Sequence, residues 1–311
     1  MSKIVVVGGI NIDVEGRPFD KLRHGDSNPG RISISWGGVG RNIAENVARI
    51  GGDVSMVSVI GDDQMGTSAV ADLRALGVNT DNVVKIPGRK SSMYLSILDE
   101  NNDMELGLSD MDIIEAMTPD FLGERFETIK GAEMIALDGN LNSEILAYCT
   151  ELFKDTPLFL DPVSASKAVK AKDVIGKFHS IKPNKIEAEV LSEIKIENQE
   201  DLMRAGKWFI DKGVQRVYIT LNKDGVYYKS QDKEGIIKPI LPEKGLKSAT
   251  GAGDSFSATI LQGTVCGLDI DQIAAMGSAA ASITMESIHA VNDTICITEI
   301  KRRMEQCTEI I

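Results

Sequence analysis

Short apolar runs rich in β-branched residues alternate with amphipathic stretches of helical length along most of the chain. The runs are apolar nearly throughout, as strands buried on both faces of a parallel sheet are. This alternation predicts an α/β fold, in which right-handed crossovers place helices on both faces of a mostly parallel sheet. The predicted strands are Ile4–Val7, Val54–Ile60, Met134–Leu137, Leu158–Leu160 and Val217–Leu221. The predicted helices are Arg41–Ile50, Gly66–Leu76, Ser143–Phe153, Lys185–Glu193, Asp201–Lys212, Ala252–Cys266, Asp271–Ile283 and Ile297–Cys307.

Two segments break the alternation and predict a small β lid at one edge of the sheet. Residues 14–36 combine turn chemistry at Asp26–Gly30 with an alternating strand at Arg31–Trp36. Residues 89–110 are typical of a hairpin around the turn Asp99–Asp103. Such a lid can exclude water from a reaction that water would spoil, and its strands can also pack against another subunit. No linker or repeat divides the chain, so we expect one domain, residues 1–311, with the lid inserted in it.

The charge balance argues against several classes of partner. The 311 residues include 34 Lys and Arg against 46 Asp and Glu, a net charge of −12. Nucleic acid and anionic lipid are themselves negative, so we expect neither as a partner. Any phosphate must be held locally, by backbone N–H groups, a metal ion or a few basic side chains. The apolar runs are too short to span a membrane and the first residues do not resemble a signal peptide, so we expect a cytoplasmic protein.

The cysteines and histidines predict no metal site. Cys149, Cys266, Cys296 and Cys307 lack the paired spacing of zinc ligands, and the three histidines lie far apart. We therefore expect reduced cysteines and do not expect a zinc enzyme.

The most informative motif, T-G-A-G-D-S-F, begins at Thr250 and opens a helical run of small residues. Gly251, Ala252 and Gly253 let backbone N–H groups approach a ligand, and a helix N-terminus directs those donors outward with partial positive charge. Such an anion hole stabilises a transferring phosphoryl group, and Asp254 beside it is placed to accept the proton of an attacking hydroxyl. The simpler interpretation is a glycine-rich helix start, with Thr250 as N-cap and Asp254 as a first-turn acid.

A second motif, K-P-N-K-I-E-A-E, begins at Lys182 and places Asn184 three residues before Glu187. On a helix both side chains point to one side, where an amide and a carboxylate can orient waters around Mg²⁺. The same spacing is also that of a capping box with Asn184 as N-cap, and the sequence does not decide between the two.

Two further glycine clusters adjoin predicted strands. In G-G-V-G-R-N, Gly38 exposes backbone and Asn42 lies one turn into the helix, so this segment can hydrogen-bond a polyol. In G-G-I-N-I-D, Asn11 and Asp13 follow the carboxyl end of the first strand, the edge at which open α/β sheets bind ligands. Asp13 can accept from two neighbouring hydroxyls and clamp a sugar diol. Ordinary turn chemistry is the alternative for both clusters.

Several common signatures are missing from the sequence. There is no G-x-x-x-x-G-K-[S/T], no G-x-S-x-G and no pair of H-R-D and D-F-G motifs. Neither glycine cluster completes G-x-G-x-x-G, since Phe256 stands where the last glycine would follow Gly251 and Gly253 and the G-G-V-G-R-N cluster also lacks it, which disfavours a nicotinamide dehydrogenase.

The four motifs, in this order and over essentially the whole chain, resemble the ribokinase-like (PfkB) family of carbohydrate and nucleoside kinases. The resemblance implies a three-layer α/β/α fold with a β lid, and transfer of phosphate from ATP, with Mg²⁺, to an alcohol. The segments Asp26–Gly30, Gly37–Asn42 and Asp161–Ala165 are similar to a branch of the family that phosphorylates the ribose 5′-hydroxyl of pseudouridine. Ribose, adenosine, cytidine or another ribonucleoside is the alternative acceptor. A catalytically silent ligand-binding regulator is the alternative from a different class.

The resemblance also implies roles for the matching residues. Asp254 matches the family's catalytic base, and residues 251–253 match its anion hole. The positions that hold ribose hydroxyls are matched by Asn11, Asp13, Gly38 and Asn42. The positions around Mg²⁺ and the nucleotide are matched by Asn184, Glu187 (to the metal through water), Thr220, Gly225 and Thr250. Candidates for reading the base, by position only, are Ser27, Asn28, Tyr94 and Asp110.

One position departs from the family pattern. Ser248 stands two residues before Thr250, where the family usually has an aspartate that helps to bind a monovalent cation. This departure argues against potassium activation. The family commonly forms homodimers through its lid strands, so the resemblance also implies a homodimer.

Overall fold

The computed structural model of the protein describes residues 3–101, 103–305 and 309–310. Asn102, in a predicted turn, and Cys307, at a predicted helix end, lie outside these residues. The strands, β1 to β14 in chain order, are Ile4–Val7, Asn11–Pro18, Gly30–Gly37, Val54–Gly61, Asn79–Ile86, Ser92–Leu98, Met104–Asp110, Met134–Asp138, Leu158–Asp161, Ser180–Ile181, Arg216–Thr220, Val226–Lys229, Glu234–Ile237 and Glu309–Ile310. The α-helices, α1 to α11, are Val39–Arg49, Gln64–Ala75, Pro119–Gly123, Phe126–Ile129, Ser143–Leu152, Ala165–Ala168, Lys185–Ser192, Gln199–Lys212, Ala252–Val265, Ile270–Thr284 and Ile297–Met304.

The central sheet contains ten of the described strands, in the order β14-β13-β12-β11-β10-β9-β8-β1-β4-β5. The strands from β11 to β5 pair in parallel, and those from β11 to β14 pair antiparallel at the other edge. Successive side chains of a strand point to opposite faces, so Ile4 and Val6 of β1 pack into one apolar core while Val5 and Val7 pack into another. Helices cover both cores, which confirms the predicted α/β class with a mostly parallel sheet.

Each predicted strand and helix corresponds to an observed one with ends that differ by a few residues, but several strands were not predicted. The strand β5 has the sequence N-T-D-N-V-V-K-I and, among the described strands, pairs only with β4 at the edge of the sheet. Its polar residues reach solvent there, so it lacks the continuous apolar run of a buried parallel strand. The strand β2 begins at Asn11, ahead of the predicted lid boundary at residue 14, because the chain enters the lid almost directly from β1.

The lid is a separate sheet with the strand order β3-β2-β6-β7. Residues opposite each other on paired strands share a face, and Asp13 lies opposite Ser35 and Tyr94, so we call this side the polar face of the lid. The residues that share the other side, the apolar face, include Ile12, Val14, Ile32, Ile34, Met93, Leu95, Leu106 and Leu108. The side chains of Ile32 and Leu108 are 77% and 57% exposed. A sheet with one polar and one apolar surface therefore borders the carboxyl end of β1.

Three further observations on the described residues concern membrane-spanning helices, metal sites and cysteines. No described helix has the length and apolar composition needed to cross a membrane. Within the same residues, no group of His, Cys, Asp and Glu side chains is arranged to hold a metal ion by itself. Cys149 is buried, Cys266 and Cys296 are exposed, and all three are free thiols.

Candidate active site

The T-G-A-G-D-S-F motif forms the start of α9. Gly251 is its N-cap, with a φ of 80°, and a Cβ atom there would lie 1.7 Å from the carbonyl oxygen of Ala290. The predicted N-cap role of Thr250 is therefore wrong: Thr250 is exposed, and its N–H donates to Ser248 Oγ at 3.1 Å. The first N–H groups of a helix have no acceptor inside it. In α9 the N–H of Ala252 donates to the carbonyl oxygen of Ala249 at 3.3 Å, and the N–H groups that follow it in the first turn point towards this end, where an anion can bind.

Asp254 lies half-buried in the first turn of α9, and its Oδ2 accepts a hydrogen bond from Asn42 Nδ2 at 2.8 Å. Burial raises the pKa of Asp254 to about 8, and the nearby charge of Asp161 adds to the rise, while the Asn42 hydrogen bond and the charge of Lys182 oppose it. A carboxyl group with a pKa near the working pH is often ionised and still basic enough to take a proton. The site therefore gives Asp254 the properties of a general base.

A buried lysine lies beneath the glycine loop. Lys182 Nζ is 3.3 Å from Asp161 Oδ2, and it is 3.3 Å from the point where a Cβ atom of Gly253 would stand. Burial alone would lower the pKa of Lys182, but the charges of Asp161, Glu187 and Asp254 raise it overall. Lys182 is therefore a fixed positive charge at the centre of a cluster of carboxylates.

The sequence motifs indicate no role for Lys182 or Asp161. Lys182 opens the K-P-N motif, and Asp161 directly follows a predicted buried strand. Both side chains are almost completely buried in the structure. For Asp161, a charged residue at the end of a run that the pattern marks as buried is the signal that could have identified it, because charged side chains are rarely buried unless paired. The sequence pattern around Lys182 contains no comparable signal.

Asn184 and Glu187 form a capping box at the start of α7, so the capping interpretation is confirmed. Asn184 N and Nδ2 donate to Glu187 Oε2 and Oε1 at 2.9 and 2.7 Å, and Glu187 N donates to Asn184 Oδ1 at 2.9 Å. Glu187 is only 3% exposed, and burial raises its pKa. A carboxylate offers about four lone-pair sites, so the two bonds from Asn184 leave room for water donors. The pair therefore fits a water-mediated contact with Mg²⁺ as well as a cap.

The predicted nucleotide residues lie at neighbouring strand ends. Thr220 ends β11, and its N–H donates to the carbonyl oxygen of Pro183 at 3.0 Å, which brings it beside Asn184. Gly225 follows in the turn to β12 with a φ of 93°, where a Cβ atom would lie 2.0 Å from the carbonyl oxygen of Ile237. Asn184, Thr220 and Gly225 thus belong to one continuous edge of the sheet.

The predicted sugar-binding residues lie where the lid joins the central sheet. Asn11 and Asp13 open β2, and the Asp13 carboxylate packs against Gly37, where a Cβ atom would stand 1.9 Å from its Oδ2. Gly38 has a φ of 97°, and a Cβ atom there would lie 2.6 Å from a backbone carbonyl oxygen. Burial raises the pKa of Asp13 to about 6, and the charge of Arg41 opposes this rise. Close backbone packing therefore fixes Asp13 in a partly buried position.

Asn42 connects the sugar side of the site to the candidate base. It lies in the first turn of α1, is 5% exposed, and donates to Asp254. Its Oδ1 is buried and has no hydrogen-bond donor among the described residues. An unpaired buried acceptor is costly, so a ligand hydroxyl that donates to this oxygen would be stabilising.

Asp138 is a further residue that sequence analysis missed. Its Oδ2 accepts from the N–H groups of Gly9 and Gly40 at 3.0 and 3.2 Å, and its Oδ1 accepts from Asn140 N and Nδ2 at 2.8 and 2.7 Å. Asp138 is 1% exposed, and burial raises its pKa. This carboxylate ties the end of β1 to the start of α1, and so it fixes both segments that carry the predicted sugar-binding residues.

The structure leaves Ser27 apart from the other predicted site residues. Ser27 is exposed in the loop that joins β2 to β3, at the end of these strands opposite to Asn11 and Gly37. Its N–H donates to Asp26 Oδ1 at 2.7 Å, and Asn28 Nδ2 donates within the same loop. A role of Ser27 in reading the base stays a prediction.

The family profile described as pfkB family carbohydrate kinase matches residues 1–295, and the chain belongs to this family. It is therefore a kinase, and the silent regulator and the dehydrogenase are set aside. Pseudouridine kinase of Escherichia coli (strain K12) is 35% identical over 298 residues, which cover 96% of this chain and 95% of that protein.

Two solved structures illustrate the shared fold. A putative sugar kinase from Clostridium perfringens superposes with a TM-score of 0.89 at 36% identity and covers 100% of this chain and 98% of its own. Arabidopsis thaliana ribokinase complexed with ribose and ATP superposes with a TM-score of 0.87 at 20% identity, covering 98% of this chain and 99% of its own. These similarities confirm the ribokinase-like fold predicted from the motifs.

Proposed function

We propose that the protein transfers the γ-phosphoryl group of ATP to the ribose 5′-hydroxyl of pseudouridine. The observation that carries the proposal is the hydrogen bond between Asn42 and Asp254, because it joins a predicted sugar-binding residue to the predicted base. Similarity to a pseudouridine kinase over 96% of the chain supports the choice of this nucleoside.

The chain's own residues provide a general base and an anion hole. Asp254 takes the proton of the 5′-hydroxyl as that oxygen attacks the γ-phosphorus in line. Asn42 orients the Asp254 carboxylate, and its unpaired Oδ1 accepts from a hydroxyl of the acceptor. The N–H groups of residues 251–253 and the charge of Lys182 face the negative charge that develops on the transferring group.

The nucleotide lies along the edge formed by Asn184, Thr220 and Gly225, with Thr250 at the entrance to the glycine loop. Mg²⁺, when bound, neutralises phosphate charge and is held through water by Glu187 and Asn184. The polar face of the lid closes over the acceptor, with Asn11, Asp13 and Gly38 around the ribose, and excludes water. Ser248 gives no carboxylate to a monovalent cation, so we propose that potassium is not required. A cytoplasmic location stays a prediction.

Steady-state turnover with ATP and, in parallel, pseudouridine, uridine and ribose tests the proposal. Pseudouridine differs from uridine only in its carbon glycosidic bond, so this pair isolates recognition of the base. We expect the highest kcat/KM with pseudouridine. Turnover of ribose without turnover of pseudouridine would favour the alternative, a ribokinase.

We also propose that two copies pair through the apolar face of the lid. Four large side chains of this face, Ile32, Ile34, Leu106 and Leu108, are exposed in the single chain. Exposed apolar patches of this kind are typical of protein interfaces, and a two-fold axis lets the same face pair with itself. Sedimentation velocity should show a dimer for the wild type and a monomer for Ile32→Glu, and a monomeric wild type would contradict the proposal.

A further inference from the structure

A series of hydrogen bonds leads away from the candidate acceptor site to two lysines that the proposed function does not use. Asn140 Nδ2 donates to Asp138 Oδ1 at 2.7 Å, and Lys167 Nζ donates to Asn140 Oδ1 at 2.5 Å. Lys170 Nζ donates to the carbonyl oxygens of residues 139–141 at 3.3, 3.3 and 3.1 Å. Both lysines are partly exposed, so their charged groups border solvent rather than the core.

The start of this series lies beside the predicted ribose-binding residues. Asp138 Oδ2 and Asn11 Oδ1 are each 3.7 Å from the point where a Cβ atom of Gly9 would stand. Asp138 also accepts from the N–H of Gly40, near the start of the helix that carries Asn42. The Asn140 amide and the Lys167 ammonium therefore extend outward from the edge of the ribose site.

The two lysines differ in how many donors they have left. An ammonium group has three N–H donors. Lys170 uses its donors on three carbonyl oxygens, so its role is to hold the loop after β8. Lys167 uses one donor on Asn140 and has no other acceptor among the described residues, so it can still donate to a ligand.

The turn that positions Lys167 is strained. Val163 has a φ of 69°, although it is β-branched, and the N–H of Ser164 donates to the carbonyl oxygen of Pro162 at 2.8 Å. A hydrogen bond between residues two apart, with a positive φ at the residue between them, defines the rare and strained form of the γ-turn. Asp161 Oδ1 stabilises the turn by accepting from the N–H of Val163 at 3.0 Å. Such strain persists where the surrounding structure holds it, and it concentrates at ligand sites.

We propose that Lys167, oriented by Asn140, determines specificity by donating a hydrogen bond to a carbonyl oxygen of the nucleobase. This inference rests on the proposed function, because it assumes a nucleoside in the acceptor site. A pyrimidine base such as uracil carries carbonyl acceptors, whereas free ribose carries no base. An ammonium fixed at the edge of the ribose site therefore favours the nucleoside over the free sugar.

The test compares Lys167→Met with Lys170→Met as a matched control. In Lys167→Met we expect the KM for pseudouridine to rise about 10- to 100-fold, the range for loss of a hydrogen bond to a charged group, with little change in kcat. Lys167→Arg, which keeps a charged donor, should recover part of this loss. Lys170→Met removes only contacts within the protein, so it should lower the melting temperature and change the KM much less.

Slow ADP release without an acceptor reports on the nucleotide side in each variant. An unchanged KM for pseudouridine in Lys167→Met would overturn the inference. The inference would also be overturned if Lys167→Met lost as large a fraction of its acceptor-free ADP release as of its turnover with pseudouridine. If Lys167→Met does not fold, Lys167→Gln is measured in its place. The proposed function fails separately, if the wild type phosphorylates ribose and no nucleoside.

Discussion

The phosphate side and the acceptor side of the candidate site are built differently. On the phosphate side, the Lys182–Asp161 ion pair and the Asn184–Glu187 capping box already have their partners inside the protein. On the acceptor side, Asn42 Oδ1 is buried, and no described residue donates a hydrogen bond to it. In the proposed mechanism, the groups for phosphate transfer are therefore fixed before substrate arrives, whereas the acceptor itself completes the hydrogen bonding on its side.

Removing the candidate base is the most direct way to break this comparison. Asp254→Asn should lower kcat about 10²-fold or more, the usual contribution of a positioned base, while ATP still binds. A coupled ADP assay measures kcat, and calorimetry measures ATP affinity. Asp13→Asn is the control from the acceptor side and should act mainly on the KM for the acceptor. Turnover of Asp254→Asn close to that of the wild type would remove Asp254 from the mechanism.

Substitution of the two glycines of the loop, Gly251 and Gly253, distinguishes the effect of backbone conformation from the effect of the space available to a new side chain. Gly251→Ala places a side chain at a φ of 80° and against a backbone carbonyl, so it should destabilise the fold by about 1–3 kcal/mol from strain alone. In Gly253→Ala the new Cβ atom would lie 3.3 Å from Lys182 Nζ, the end of a flexible side chain, so the loss of stability should be much smaller. Urea denaturation of both variants measures the difference. Equal losses would show that the loop does not depend on the left-handed conformation at residue 251.

The charge of Lys182 should be visible in the pH dependence of the reaction. Burial raises the pKa of Asp254 to about 8, and Lys182 opposes this rise. In Lys182→Met the pKa should therefore rise further, and the acid limb of kcat/KM should move to higher pH. Lys182→Arg keeps the charge and should move the limb less. An acid limb at the wild-type position in Lys182→Met would mean that Lys182 acts only in packing.

The raised pKa of Asp254 also makes the stability of the fold depend on pH. Folding favours the protonated form of a carboxyl group whose pKa is higher in the folded protein than in the unfolded chain. The contribution of Asp254 is therefore complete below about pH 4 and is lost as the pH rises towards about 8. Asp254→Asn should flatten this decline when melting temperature is measured against pH.

The sequence predicted the parts of the site that depend on local backbone. The glycine motif at α9, the capping pair at α7 and the buried strands all have a local pattern, and the structure contains each of them. The local patterns do not identify Asp138 and Asp161, because the partners of these residues are distant in the sequence. Asp138 Oδ2 accepts a hydrogen bond from the N–H of Gly9, which is 129 residues away. The contact between Asn42 and Asp254 spans 212 residues. Ser27 is a candidate by position in the chain; the β2–β3 hairpin places it at the end of the lid opposite to Asn11, and its role stays a prediction.

The two faces of the lid have a practical consequence for assays. The lid sheet that carries the predicted sugar-binding residues Asn11 and Asp13 on one surface carries Ile32 and Leu108 on the other. A second copy resting on that surface would hold the same strands in place over the substrate. Specific activity would then fall on dilution as the copies separate, and rate constants would need to be determined over a range of enzyme concentrations.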